Sequence, residues 1–336
     1  MMTAQRTIAV ACTVAAMILS LPGYAQTIRE RIRERREARD QRVNPAFSAK
    51  GDLALARPVE IRIDGIRRSY LVEAPKGPGP FPVVVLLHGG TGDAEQVWRQ
   101  TSLPTLARSD GFIIVAPNGL NKHWNDGRGT TLGGVASKAD DVGFLKRVIA
   151  DVIAKDGGNP KAVFMMGVSN GGFMTMHFAC QSGSLLRAAS YIASTLPNAE
   201  EANCTAPPMP WLAMNGTADP IIPFDGMKAG TVKNGEPQPE LLSADATFDF
   251  WAVRDHCGAF VSKTSLPHLN PADPTTAEER VCKGDGGLPS VQIVFQGGGH
   301  SWPNLQYAAF IQGLLGYSNQ DVDAGQAIWS FFKATL

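Results

Sequence analysis

Three residues in this chain have the types, settings and order needed to build an acyl-transfer centre: Ser169, Asp219 and His300. A serine hydroxyl is a poor nucleophile while protonated. An imidazole within reach can take its proton and later hand it to a leaving alcohol. A carboxylate behind the imidazole holds the ring in the needed tautomer and stabilises its charged form. Ser169 lies in Gly167-Val168-Ser169-Asn170-Gly171, the G-x-S-x-G pattern of a nucleophile elbow. Serine and glycine are common, so the pattern alone says little; its flanks give it meaning. Ala162–Met166 is an apolar run of buried-strand length, and Phe173–Ala179 is rich in helix formers. A strand, a tight turn and a helix would lift the hydroxyl clear of a sheet. Gly167 and Gly171 would let the two elements pass close to it. The N–H of Asn170 and one from the Gly90/Thr91 loop are expected to hold the tetrahedral oxyanion.

The remaining elements read as a frame for these residues. Val59–Ile63 and Ser69–Val72 alternate around Asp64-Gly65, a hairpin signal. Val83–Leu87 is a continuous apolar strand, as expected when both faces are buried in a parallel sheet, and it runs into His88-Gly89-Gly90-Thr91-Gly92. No Gly-Lys-Ser/Thr follows that loop, which argues against a phosphate cradle. His88 is expected to bond the loop backbone and to play no chemical part. Phe112–Val115 is the next strand. The loop His123–Gly129 after it contains Trp124, which is expected to form a substrate wall. Asp140 and Asp141 open a helix running to about Lys155, where a cap and a first-turn charge explain them better than acid–base or metal chemistry. Ala189–Ala193 and Pro210–Met214 are further strands, the second leading to Asp219. Pro223–Ser243 is expected to pass over the active face and Asp245–Asp255 to be helical, while Leu266–Gly287 is a polar, Pro/Gly-rich stretch pinned between Cys257 and Cys282. Val291–Phe295 is the last strand and ends in the glycine-rich turn before His300. Asp323–Phe332 is a terminal helix. Of six histidines, only His300 combines a glycine-rich loop, the end of a buried strand and a place after the aspartate.

Composition sets the outer bounds. At 336 residues and 44% hydrophobic, the chain can fill one large α/β domain, expected over residues 58–336. A formal net charge of zero gives no reason to expect nucleic acid as a partner. Residues 1–25 read as a cleaved export signal: Arg6, an apolar stretch Ile8–Leu21, then Gly23-Tyr24-Ala25. The protein is therefore expected in the periplasm or outside the cell, without stable membrane insertion. Residues 26–57 form a charged leader in which Thr27–Arg42 sets seven arginines against four acids, a solvated segment with few apolar residues to dock. Beyond the signal, four cysteines remain: Cys180, Cys204, Cys257 and Cys282. They suggest two disulfides in an exported chain. Three pairings are open; closure of short loops favours Cys180–Cys204 with Cys257–Cys282. A zinc site is the rival, but neither C-x-x-C nor a His/Cys cluster is present.

The order Ser169, Asp219, His300 is that of the α/β-hydrolases. The chain resembles secreted polyhydroxybutyrate depolymerases and feruloyl or acetylxylan esterases. The resemblance rests on Leu87–Gly90, Asp140–Phe144, Gly167–Gly172, Asn215–Asp219 and Gly299–Pro303, and spans about Pro58 to Leu336. It implies an α/β-hydrolase fold with a mostly parallel sheet between helices. It also implies a Ser169 acyl-enzyme mechanism on a carboxylic ester with neither metal nor cofactor, a pocket wall at Trp302, and the two disulfides above. Gly90 departs from the pattern, since many relatives carry cysteine there. Hydroxybutyrate oligomers and feruloyl or acetyl esters remain equal alternatives. No separate polymer-binding domain or Ser/Thr-rich linker is seen, which favours soluble oligomers or small esters. A serine peptidase of the same fold and a noncatalytic binding protein stay open, as does the oligomeric state.

Overall fold

The computed structural model describes residues 52–129, 138–233, 235–257, 260–283, 289–307 and 309–336. The expected export signal and all of the leader before residue 52 lie outside the described residues.

The hairpin at Asp64-Gly65 is present: β1 (Arg57–Ile63) pairs antiparallel with β2 (Ile66–Glu73) across two residues of positive φ. The apolar runs follow as β3 (Phe81–Leu87), β4 (Ile113–Pro117), β5 (Gly158–Val168), β6 (Ala188–Ile192) and β7 (Trp211–Gly216). A small separate hairpin, β8 (Val232–Lys233) with β9 (Glu236–Pro237), comes next, and then β10 (Phe260–Ser265), β11 (Thr276–Cys282) and β12 (Ser290–Gln296). One sheet of ten strands has the order β1-β2-β4-β3-β5-β6-β7-β12-β11-β10. From β4 through β12 every pairing is parallel, and both edges are antiparallel.

The helices are α1 (Ala94–Arg99), α2 (Leu103–Asp110), α3 (Asp141–Asp156), α4 (Asn170–Ser182), α5 (Asn198–Asn203), α6 (Ala244–Arg254), α7 (Ala309–Leu315) and α8 (Ala324–Lys333). Side-chain caps set several starts: Asp140 accepts from the Gly143 N–H at 2.8 Å, Ser243 from Ala246 at 3.0 Å and Asp323 from Gln326 at 3.0 Å. Among the described residues no helix is long and apolar enough to cross a membrane.

Side chains alternate across each strand, so the core divides between the two faces of the sheet. Val83, Val85 and Leu87 pack with Phe144 of α3, Phe178 of α4 and Trp251 of α6. Val84 and Leu86 pack with Trp98 of α1, Leu103 of α2 and Phe332 of α8. Phe332 stacks on Phe164 of β5 with centroids 4.7 Å apart. Burying a side chain of this size contributes about 1.5–3 kcal/mol. The chain is thus a helix–sheet–helix sandwich, and its strand ends form one floor for the site.

Two stretches take a form the sequence does not specify. The polar stretch Leu266–Gly287 contains β11, paired on both sides, and β10 precedes it. Pro223–Ser243 docks by Met227 and Leu241, which bridge to each other and join the core, and Lys233 Nζ donates to the carbonyls of Pro220 and Ile221, next to Asp219. The cysteines pair as the short loops favour. Cys180 near the end of α4 bonds Cys204, and Cys257 after α6 bonds Cys282 at the end of β11.

Candidate active site

Ser169 stands between β5 and α4 with φ 53° and ψ −122°, a strained conformation for a residue with a side chain. The surroundings enforce it. The Ser169 N–H donates to the Ile192 carbonyl at 2.8 Å, and its own carbonyl accepts from Ser194 Oγ at 2.8 Å and from the Phe173 N–H at 3.0 Å. Gly167 is required by space, because a Cβ there would collide with the Gly171 backbone. A Cβ on Gly171 would lie 2.5 Å from the carbonyl oxygens of Leu87 and His88.

His300 comes from the turn after β12. Its N–H donates to the Leu315 carbonyl at 2.6 Å, and the Gly299 N–H donates to Tyr317 at 2.8 Å. Asp219 follows β7, the strand next to β12, and the Ala218 N–H donates to the Gly298 carbonyl at 2.8 Å, tying the two turns together. These turns bring His300 Nδ1 to 2.8 Å from Asp219 Oδ2 and His300 Nε2 to 2.9 Å from Ser169 Oγ. The other Asp219 oxygen accepts N–H bonds from Ile221 and Ile222 at 2.7 and 2.8 Å. A carboxylate can only accept, so Nδ1 carries the hydrogen and Nε2 is free to accept from the serine hydroxyl. The structure therefore joins all three sequence-predicted residues in one hydrogen-bonded chain.

The oxyanion side is more selective than the sequence suggests. As the first residue of α4, Asn170 has an N–H with no intrahelical partner. Its carboxamide is pinned: Oδ1 accepts from the Trp124 N–H at 2.8 Å, and Nδ2 donates to Asp126 at 2.5 Å. Gly90 lines the cleft, and its N–H makes no hydrogen bond among the described residues. Thr91 drops out as a donor, since its N–H is given to the Lys122 carbonyl at 2.9 Å.

His88 is a brace, as expected. It is buried, donates from Nδ1 to the Gly89 carbonyl at 2.7 Å and accepts the Gly119 N–H on Nε2 at 2.9 Å. Burial first of all holds its pKa down, to about 4, so the ring stays neutral. Trp124 is not a substrate wall. It is fully buried, its ring lies tilted against His88 with centroids 4.9 Å apart, and Nε1 donates to the His88 carbonyl at 2.9 Å. Trp302 does line the cleft, beside Tyr307, whose hydroxyl accepts from its N–H at 3.2 Å. The cleft has a volume of about 350 Å³, with Ser169 and His300 in its wall. Sequence reasoning passed over His123 and Arg128, which also line it. Arg128 lies over the Phe173 ring at 3.8 Å and pairs with Asp126, so it is held in place.

A sequence model described as "Alpha/beta hydrolase family" matches residues 84–312. A protein of Nocardia uniformis subsp. tsuyamanensis named as an esterase, NocK, is 28% identical over 253 residues, covering 73% of this chain and 73% of that protein. Feruloyl esterase B of Piromyces equi is 27% identical over 244 residues, covering 70% of this chain but 42% of that protein, so the chain spans less than half of it. Among solved structures, an acetyl xylan esterase from Aspergillus awamori has a TM-score of 0.53 at 15% identity, covering 83% of this chain and 99% of that one.

Proposed function

Since this chain belongs to the alpha/beta hydrolase family, we propose that it is a serine carboxylic-ester hydrolase whose acyl-enzyme forms on Ser169. The observation that carries this reading is the continuous hydrogen-bonded run Ser169–His300–Asp219, with links of 2.9 and 2.8 Å. His300 Nε2 takes the Oγ proton as oxygen attacks the ester carbon. Asp219 holds the ring's tautomer and stabilises the imidazolium. The N–H groups of Asn170 and Gly90 meet the oxyanion, helped by the positive end of α4; each such donor contributes about 3 kcal/mol to barrier lowering. His300 then protonates the leaving alcohol, and water releases the acyl group by the same relay in reverse.

The names of the relatives support ester hydrolysis, and feruloyl or acetyl esters on polysaccharide and hydroxybutyrate oligomers are the substrates to try. Two disulfides and the reading of residues 1–25 support export. Ser169→Ala should lower turnover of p-nitrophenyl butyrate by at least about a thousandfold. It should also abolish fluorophosphonate labelling and leave the melting temperature nearly unchanged. Turnover like that of the unaltered protein would refute the assignment.

A further inference from the structure

His123 lines the cleft but has no part in the relay above. Its placement is costly. The two residues before it, Asn121 and Lys122, both have positive φ, 53° and 64°, without being glycine. Such a pair persists only where the surroundings impose it. The restraints are visible: the Lys122 carbonyl takes the Thr91 N–H at 2.9 Å, Lys122 Nζ pairs with Asp93 at 3.0 Å, and the Gly119 N–H is held by His88 at 2.9 Å. This strained turn is therefore latched to the oxyanion loop and presents His123 against it. A methyl group on Gly90 would sit 3.5 Å from His123 Nε2 and 3.7 Å from the Asn170 Cβ.

The ring's hydrogen-bonding state follows from its other nitrogen. His123 Nδ1 is 3.1 Å from the Asn121 carbonyl, which can only accept. Nδ1 thus carries the hydrogen, and in that tautomer Nε2, beside Gly90, holds a lone pair. A lone pair is the wrong partner for an oxyanion and the right one for a hydroxyl. The leaving alcohol must face His300 to be protonated, and the carbonyl oxygen must face Asn170 and Gly90. His123 meets the cleft beside Gly90, on the carbonyl-oxygen side, whereas the leaving alcohol belongs with His300.

Resting on the hydrolase reading, we infer that His123 is a specificity-determining residue that accepts a hydrogen bond from a hydroxyl borne by the acyl part of the ester, near the scissile carbonyl.

The test compares kcat/KM for methyl 3-hydroxybutanoate and methyl butanoate in the unaltered protein, His123→Phe and His123→Gln. The unaltered protein should prefer the hydroxylated ester. Phenylalanine keeps the ring's bulk without the lone pair and should reduce that preference roughly three- to tenfold. Glutamine restores an acceptor and should recover part of it; it also serves if the phenylalanine variant misfolds. Equal losses on both esters, or a preference independent of residue 123, would overturn the inference while leaving the hydrolase reading intact. A residue-123-dependent preference for 2-hydroxyethyl over ethyl butanoate would overturn the acyl-side assignment. Failure of the unaltered protein to cleave any of these esters, with no fluorophosphonate labelling, would instead count against the hydrolase reading and remove the inference with it.

Discussion

Side by side in the chain, His123 and Trp124 have opposite fates, and that contrast marks the limit of reading residues from spacing. Ser169, Asp219 and His300 are legible because each sits in a turn that follows an apolar strand and carries glycine: Gly167 and Gly171 around the serine, Gly216 before the aspartate, Gly297–Gly299 before the histidine. Nothing comparable says which side of an irregular loop faces water. Trp124 turns inward because its indole N–H finds the His88 carbonyl and its own N–H finds Asn170. Thr91 is lost as a donor for a similar reason, a backbone partner more than thirty residues away that no local pattern reveals. These assignments are testable through Trp124→Phe. The ring is retained but the His88 carbonyl loses a buried partner, which should cost about 1–3 kcal/mol in denaturant unfolding. A lower kcat should accompany it, because His88 braces the Gly89–Gly90 loop. A wall residue would raise KM instead and leave stability alone.

Helices and strands were readable wherever one side-chain pattern dominated. The parallel strands carry apolar runs such as Val83–Leu87 and Ala162–Met166, and Asp140 caps α3 as its position suggests. Strands β10 and β11 escaped notice because their sequences, Phe-Val-Ser-Lys-Thr-Ser and Thr-Ala-Glu-Glu-Arg-Val-Cys, are largely polar. They form an antiparallel edge with much of one face in water, where Lys263–Glu278 and Arg280–Glu278 pairs replace apolar contacts. Invisible too was the pair joining β2 to α3. Arg68 and Asp141 are both buried, bond at 2.5 Å, and Arg68 lies 3.8 Å over the Phe144 ring. Burial pushes the Asp141 pKa up despite the bonds from Asn125 and Arg68. The first-turn charge foreseen for Asp141 is therefore an interior anchor, and it also takes the Asn125 N–H at 2.7 Å, steadying the loop under the cleft. Arg68→Ala would strand that carboxylate and should cost about 3–5 kcal/mol, read from urea unfolding curves. A loss below 1 kcal/mol would mean the pair is not worth its burial.

For the whole molecule, stability should carry a signature of acid pH. Asp255 at the end of α6 is buried against Ser290, at 3.0 Å, and burial raises its pKa from 3.8 to about 6. The folded chain then holds this proton more tightly than the unfolded one. The associated stability is complete below the unfolded value of 3.8 and is lost as pH climbs through about 6. Asp255→Asn removes this dependence, so its stability relative to the unaltered protein should improve steadily between those limits. Thermal melts across the interval would show parallel curves if the group did not titrate there.

The sheet order has one more outcome. Base and carboxylate ride on adjoining rods, β12 and β7, whereas the nucleophile is delivered from β5, with β6 wedged between. Reach across that wedge depends on how steeply the floor coils, since each rod is rotated about 20–25° from the next. Ala188, Ala189 and Ser190 in β6 are small and wholly enclosed, which lets the helices above and below clamp that curvature. Reactivity can therefore be retuned from beneath, by thickening an alanine that no ester ever meets.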